Sequence, residues 1–176
     1  MKKQRVFYSV LLVAVLVFGL NAAADLWQKI PLEGSGKISI PKSWNVKASS
    51  DSVLENAYGQ GVSRRILLEA DGPASSSLIV MKFWPAKGIT LDDFAQDLAA
   101  SLRVQNGVSS LSRAGDMFFG SIKATSMTYR VSPERDQKLT AFAQGGSLYC
   151  FILSYKSSDE RSMLALTRHI IRRWEF

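Results

Sequence analysis

The chain contains one histidine, His169, and one cysteine, Cys150, and this scarcity limits the chemistry that it can carry out. Zinc sites draw three or four ligands from cysteine, histidine and carboxylate side chains, and these two residues stand at no ligand spacing. Cys150 lies in an apolar run, so we expect a buried core residue, with a reactive thiol or an intermolecular bridge as the alternatives. His169 falls in the last turn of a predicted basic helix, where the helix dipole favours a protonated imidazole at or near the surface.

Asp92, Asp93 and Asp97 form the densest group of acidic residues. Asp93 and Asp97 are four residues apart and therefore share a face of a predicted helix. Paired carboxylates can bind calcium or serve as general acid and base, but no D-x-D-x-D-G loop accompanies them. We expect a solvated helix face. A cofactor-independent hydrolase is the weakest of the functions considered, because no nucleophile and base can be named beside these acids.

Two short motifs resemble catalytic or phosphate-binding signatures without meeting their requirements. Gly34-Ser35-Gly36-Lys37 lacks the four-residue insert of a phosphate loop, and a strand rather than a helix is predicted to follow it. Ser39-Ile40-Pro41-Lys42 satisfies S-x-x-K, but a helix is needed to bring that serine and lysine together. The sequence therefore predicts a protein that is not an enzyme and that has no catalytic, cofactor-binding or metal-binding residues.

Residues 1–24 have the order of a secretory signal peptide. Three basic residues precede an apolar run from Val6 to Leu20, and Ala22 and Ala24 supply the small residues of a cleavage site after Ala24. The run is shorter than the roughly 20 residues that span a bilayer, although an uncleaved anchor remains the alternative. We expect an exported protein, periplasmic or extracellular, with residues 25–176 forming one domain.

The net charge of the whole chain is +7, and removal of Lys2, Lys3 and Arg5 with the signal peptide leaves 19 basic and 15 acidic residues, or +4. No dense basic run with interleaved aromatic residues occurs, so nucleic acid is not an expected partner. An envelope protein or an anionic membrane surface suits this modest positive charge better. The sequence does not indicate an oligomeric state. The candidate contact residues are Arg161, Arg168 and Arg172 on one face of the last predicted helix, and Trp27, Phe118 and Phe119 near predicted turns.

Hydrophobic periodicity predicts strands, a helix, a three-stranded meander and a second helix. The first helix covers residues 91–105, with Thr90 as N-cap and Asn106-Gly107 as C-cap. The second follows a capping box formed by Ser157 and Glu160. The predicted strands are 37–40 and 44–47, a hairpin of 64–70 with 77–84, one long strand from 117 to 131, and a hairpin of 138–144 with 147–155 through Gly145-Gly146. The last strand is apolar on both faces, so we expect it at the centre of the sheet.

Antiparallel hairpins beside separate helices favour an α+β fold, a central antiparallel sheet flanked by helices. The chain resembles the PsbP/Mog-like family in two places. Ile38-Ser39-Ile40-Pro41-Lys42-Ser43-Trp44 is similar to the apolar-x-apolar-Pro-x-x-Trp opening of those domains, and the hairpin from Ala141 to Tyr149 leads into an aromatic last strand and a final helix as theirs does. The resemblance spans residues 26–176 and implies an α/β/α sandwich.

Members of this family mostly act as binding or accessory subunits without catalysis, so the resemblance implies such a role here. No functional residue carries over, because the matching positions are packing and turn residues, and the calcium and chloride contacts of photosystem members have no counterpart. The leading hypothesis is an exported, non-enzymatic domain that contacts a protein partner or the membrane surface. The alternative is a carrier of a lipid or small metabolite, with an apolar pocket between the helix at 91–105 and the sheet.

Overall fold

The computed structural model describes residues 26–47, 53–54, 62–84, 88–104, 108, 110–112 and 115–176. The predicted signal peptide, residues 1–24, and the predicted C-cap Asn106-Gly107 lie outside the described residues. In the part of the chain that is described, no helix has the length and apolar character needed to cross a membrane.

Most of the described chain is β-strand. The elements are β1 (Trp27–Leu32), β2 (Gly36–Pro41), β3 (Asn45–Lys47), β4 (Val53–Leu54), β5 (Ser63–Asp71), β6 (Ser77–Trp84), α1 (Leu91–Val104), β7 (Ser110–Leu111), β8 (Gly115–Phe119), β9 (Ile122–Ser132), β10 (Arg135–Gln144), β11 (Ser147–Lys156) and α2 (Glu160–Arg172). Short 3₁₀ turns precede β6 and α2.

The main sheet is antiparallel throughout, in the order β3-β5-β6-β11-β10-β9-β7. β4 also pairs with β5, and β8 also pairs with β9. β11 lies at the centre, as its two apolar faces predicted. The turn between β10 and β11 is Gly145-Gly146, with φ of +55° and +74°, which confirms the predicted two-residue hairpin.

Two strand predictions were wrong or incomplete. The long strand predicted from 117 to 131 is two strands, because Gly120 adopts φ +65° and turns the chain between β8 and β9. Residues 27–32, for which no strand was predicted, form β1 and pair with β2 as a separate two-stranded sheet. Because of the turn at Gly120, the meander after α1 has one more hairpin than expected.

Helix α1 covers one face of the main sheet. Phe94 and Ala95 are buried there among residues of β6, β9, β10 and β11, and the Phe94 ring meets Phe83 edge-on at 5.0 Å. The backbone N–H of Asp93 donates to the hydroxyl of Thr90 at 3.1 Å, which confirms Thr90 as the N-cap. Cys150 is fully buried in the same cluster, as predicted.

Helix α2 and the β1–β2 hairpin cover the other face. Thr167, Ile170 and Ile171 are the buried residues of α2. Ile170 and Ile171 belong to the core cluster that holds Ile38 and Ile40 of β2. The predicted capping box is wrong: residues 157–159 form a 3₁₀ turn, α2 begins at Glu160, and its N-cap, Asp159, makes no side-chain capping bond. The predicted antiparallel sheet flanked by helices is confirmed. On the α2 side, the β1–β2 hairpin shares the outer layer with the helix.

The segment after α2 fastens the β1–β2 hairpin to the main sheet. The backbones of Lys37 and Glu175 exchange two hydrogen bonds, at 2.7 and 2.9 Å. The indole Nε1–H of Trp174 donates to the carbonyl of Ser35 at 2.7 Å. The Trp174 ring also completes an aromatic cluster whose members are Phe142, Tyr149, Phe151, Trp174 and Phe176.

Gly36 is where this segment passes closest to the hairpin. Its φ is +82°, and a Cβ built on it would lie 1.8 Å from the carbonyl oxygen of Glu175. We predict that Gly36→Ala lowers the free energy of unfolding by about 2–4 kcal/mol, because backbone strain adds to the loss of the Lys37–Glu175 bonds. Urea unfolding followed by tryptophan fluorescence measures this change.

Gly34→Ala is the matched control. Gly34 also has positive φ, +61°, but among the described residues other than its two chain neighbours no atom lies within 4 Å of its added Cβ. Gly34→Ala should lower the free energy of unfolding by about 1 kcal/mol, from backbone strain alone. Equal losses in the two variants would contradict the close contact with Glu175.

Burial should make Cys150 unreactive in the folded protein. Burial raises the pKa of its thiol to about 12, and the thiolate is the species that reacts with disulfide reagents. At pH 8 the native thiolate fraction is about 10⁻⁴, whereas an exposed cysteine of ordinary pKa is roughly a quarter ionised. We expect slow reaction with Ellman's reagent in buffer and fast reaction in urea. Fast reaction of the folded protein would contradict the buried position.

Candidate functional site

The helix α2 and the edge strand β8 border a depression of about 250 Å³. It is lined by Asp116, Met117, Phe118 and Phe119 of β8 and by Arg168 and Arg172 of α2. Both arginines are exposed, and their spacing of four residues places them one above the other on the helix surface, about 6 Å apart along the axis. The depression therefore joins two cationic groups to the end of a sheet.

The pleat of β8 decides which of its side chains reach solvent. Met117 lies opposite Ala124 of β9 and packs against the core on the α2 side of the sheet, and Phe119 is buried in that same core. Phe118 has the opposite parity and is 66% exposed, against 6% for Phe119. A single aromatic ring therefore projects beside the depression, while its neighbour helps to form the depression's floor.

The charge of the depression is positive. Among the described residues, no carboxylate lies within ion-pair distance of Arg168 or Arg172. Asp116 is the acidic residue of the lining, and its carboxylate lies 3.3 Å from the ammonium of Lys123. The two arginines are thus available to an anionic group, and a guanidinium can hold a carboxylate through two parallel hydrogen bonds.

The structure brings together four of the six predicted contact residues at the depression: Phe118, Phe119, Arg168 and Arg172. Arg161 is exposed on α2 but does not line the depression. The prediction that Phe119 is an exposed contact was wrong, because strand parity turns it into the core. Trp27 is the first residue of β1, directly after a turn at Leu26, and it is half-buried.

Trp27 stacks on His169 of α2, with ring centroids 3.9 Å apart and an angle of 24° between the planes. The Nε2 atom of His169 is buried and has no hydrogen-bond partner among the described residues. Burial, with a smaller effect of Arg173, lowers the pKa of the imidazole. The half-buried position of His169 agrees with the expected place at or near the surface, whereas the lowered pKa opposes the protonation that the helix dipole favours.

A second depression, of about 390 Å³, adjoins the first through Arg172. It is lined by Lys29, Ser39, Arg172, Arg173, Trp174 and Glu175. Lys29 and Arg173 were not among the predicted contact residues, since Arg173 was explained by the helix dipole and no strand was expected around Lys29. The carboxylate of Glu175 lies 2.5 Å from the Lys29 ammonium, and that hydrogen bond lowers the pKa of Glu175.

The acidic residues of α1 have structural partners. The Thr90 hydroxyl donates to a carboxylate oxygen of Asp93 at 2.7 Å, and Asp92 lies 3.8 Å from the Lys123 ammonium. Asp92, Asp93 and Asp97 are all exposed, which agrees with the predicted solvated face. In the described ranges, no three histidine, cysteine or acidic side chains converge as a metal site would require.

The stacking of Trp27 on His169 gives a prediction that one signal can test, since His169 is the only histidine of the chain. Its pKa, followed by proton NMR, should lie below 6.5 and should rise toward that value in Trp27→Ala, where the imidazole regains water. In the wild type, the lowered pKa means that the unfolded chain binds the proton more tightly than the folded one. The free energy of unfolding of the wild type should therefore fall as the pH drops below 6.5. A pKa at or above 6.5 in the wild type would contradict the burial of Nε2.

No protein-family model matches the chain, and no curated protein matches it. Solved structures do match it, among them the solution structure of cyanobacterial PsbP (CyanoP) from Synechocystis sp. PCC 6803. That match has a TM-score of 0.61 and 14% sequence identity, and it covers 86% of this chain and 92% of the cyanobacterial chain. At this identity the likeness concerns the fold alone. The chain has a PsbP-like fold, as the resemblance in its sequence implied.

Proposed function

We propose that the protein is a non-enzymatic accessory domain that binds an acidic partner protein through the depression between β8 and α2. The observation that carries the proposal is the pair Arg168 and Arg172, both exposed and without a carboxylate partner among the described residues, beside the projecting ring of Phe118. Exposed aromatic rings and arginines are the side chains that most often supply binding energy at interfaces. The PsbP-like fold supports an accessory or binding role.

The positions of the reactive residue types support binding in place of catalysis. The thiol of Cys150 is buried with a pKa of about 12, so it is a poor nucleophile at neutral pH. The imidazole of His169 is stacked under Trp27 with its Nε2 atom buried. General acid–base catalysis needs a group within hydrogen-bond reach of a substrate, and neither the Cys150 thiol nor the Nε2 atom of His169 offers one.

We place this role outside the cytoplasm, on the strength of the signal-peptide pattern of residues 1–24. An anionic membrane surface would be attracted by the same two arginines. The depression favours a protein, because it is concave and has the size of a few side chains. The carrier alternative needs space under α1, where Phe94 and Ala95 are instead packed against the sheet.

The double variant Arg168→Glu/Arg172→Glu tests the proposal. Wild-type protein should bind immobilised poly-L-glutamate and be released by salt, and the double variant should bind at least about tenfold more weakly, since two favourable charges become repulsive. Phe118→Ala should weaken binding to a lesser degree without altering its dependence on salt. Circular dichroism checks that each variant is folded.

Lys156→Glu/Arg161→Glu is the control of equal charge change. Both residues are exposed and neither lines the depression, so this variant should bind like the wild type. Equal weakening in the two double variants would mean that only net charge matters, and would overturn the proposed site. Binding to vesicles of anionic phosphatidylglycerol without binding to poly-L-glutamate would identify the membrane surface instead.

A further inference from the structure

Strand β8 lies at an edge of the main sheet. It pairs with β9 on one side, from Gly115 opposite Ser126 to Phe119 opposite Ile122. β7 pairs with β9 farther along, at Arg130 and Tyr129, and so lies in line with β8 and not beside it. Within the described residues, the outer side of β8 therefore carries no strand. Such an edge presents backbone N–H and C=O groups to an added strand.

We infer that this edge accepts an extended acidic segment of the partner protein, which adds to the sheet beside β8 and places its carboxylates at Arg168 and Arg172. The inference rests on the proposed function and specifies how the partner binds. Strand addition obtains its affinity from main-chain hydrogen bonds and its specificity from alternate side chains.

The spacing of the two arginines suits an extended chain. Four residues of helix rise about 6 Å, and two residues of strand rise about 6.6–6.8 Å. Carboxylates at positions i and i+2 of an extended segment therefore match the separation of Arg168 and Arg172. A helical segment with carboxylates at i and i+4 would match this separation too, so the open edge of β8 is what favours an extended segment.

The two faces of β8 specify the rest of the segment. Met117 and Phe119 lie on the face that α2 covers, so residues of the added strand with that parity point toward the arginines. Residues of the other parity come beside Phe118 and Asp116. An apolar side chain there packs on the exposed ring of Phe118, and a carboxylate would be repelled by Asp116. The geometry favours a segment that alternates acidic and apolar residues.

The backbone groups at the edge of β8 distinguish a protein segment from a lipid surface as the binding partner. Anionic head groups could neutralise the arginines, but they offer no N–H and C=O row to pair with β8. A peptide supplies both the charge and the main-chain groups. The concave shape of the depression also suits one narrow strand better than a flat bilayer.

Synthetic peptides test the inference on the intact protein. The probe is a nine-residue peptide with glutamate at alternate positions and valine between them. The first control has the same composition with the glutamates consecutive, and the second is the probe with alternate backbone amides N-methylated. We expect the probe to bind at micromolar concentrations by titration calorimetry, and both controls to bind at least about tenfold more weakly. The NMR amide signals of Gly115–Phe119 should shift on addition of the probe.

The protein variants complete the experiment. Arg168→Glu/Arg172→Glu should weaken binding of the probe at least about tenfold, and Lys156→Glu/Arg161→Glu should leave it within about twofold of the wild type. If the N-methylated peptide binds as well as the probe and both depend on the two arginines, strand addition is overturned while the proposed acidic partner stands. If the probe binds equally to the Arg168→Glu/Arg172→Glu variant, both are overturned.

Discussion

The pairing of the C-terminal segment with the start of β2 is the constraint on which the rest of the structure depends. Two backbone hydrogen bonds join Lys37 to Glu175, and the Trp174 indole donates to the Ser35 carbonyl. Because Trp174 lies two residues after the last residue of α2, these bonds set where the helix ends over the sheet. The position of Arg172 between two depressions, and of Arg168 one turn earlier, follows from that anchorage.

Several reactive or charged side chains serve structural roles in the fold. Asp93 and Thr90 begin α1, Cys150 fills the core under it, and the Asp136 carboxylate is almost fully buried against Arg130. The hydrogen bond from Arg130 lowers the pKa of Asp136, so that pair stabilises the fold at neutral pH and does so less as the carboxylate is protonated. Arg168 and Arg172 differ from these residues in having no such internal partner among those described.

Much of the fold could be predicted because the decisive signals are local. Gly145-Gly146 can adopt positive φ at both central turn positions, Thr90 can accept a bond from the first turn of a helix, and a strand apolar on both faces has its place at the centre. Gly120 carried a weaker signal, since a single glycine within a long β-pattern is also compatible with a bulge. Because that turn was missed, the sequence did not show which face of the sheet each residue before Gly120 occupies. It was therefore not possible to predict that Phe118 is exposed and Phe119 buried.

Other features could not be predicted because they depend on distant contacts. β1 pairs with its neighbour in the chain, β2, but Trp27 is located by His169, a residue 142 positions later. The sequence analysis grouped residues 168 and 172 with Arg161 on one face of the last helix. Helical periodicity does not show which part of that face lies beside the end of a neighbouring strand. The depression itself needs the edge of β8, which only the assembled sheet provides.

The bond between Trp174 and Ser35 joins residues 139 positions apart. Closing so long a loop carries an entropic cost before its contacts can compensate, and folds rich in such distant pairings fold slowly. The aromatic cluster on β10 and β11 lacks its Trp174 and Phe176 rings until that closure occurs. Completion of this cluster therefore depends on a contact that spans most of the described residues, and we expect it to form late in folding.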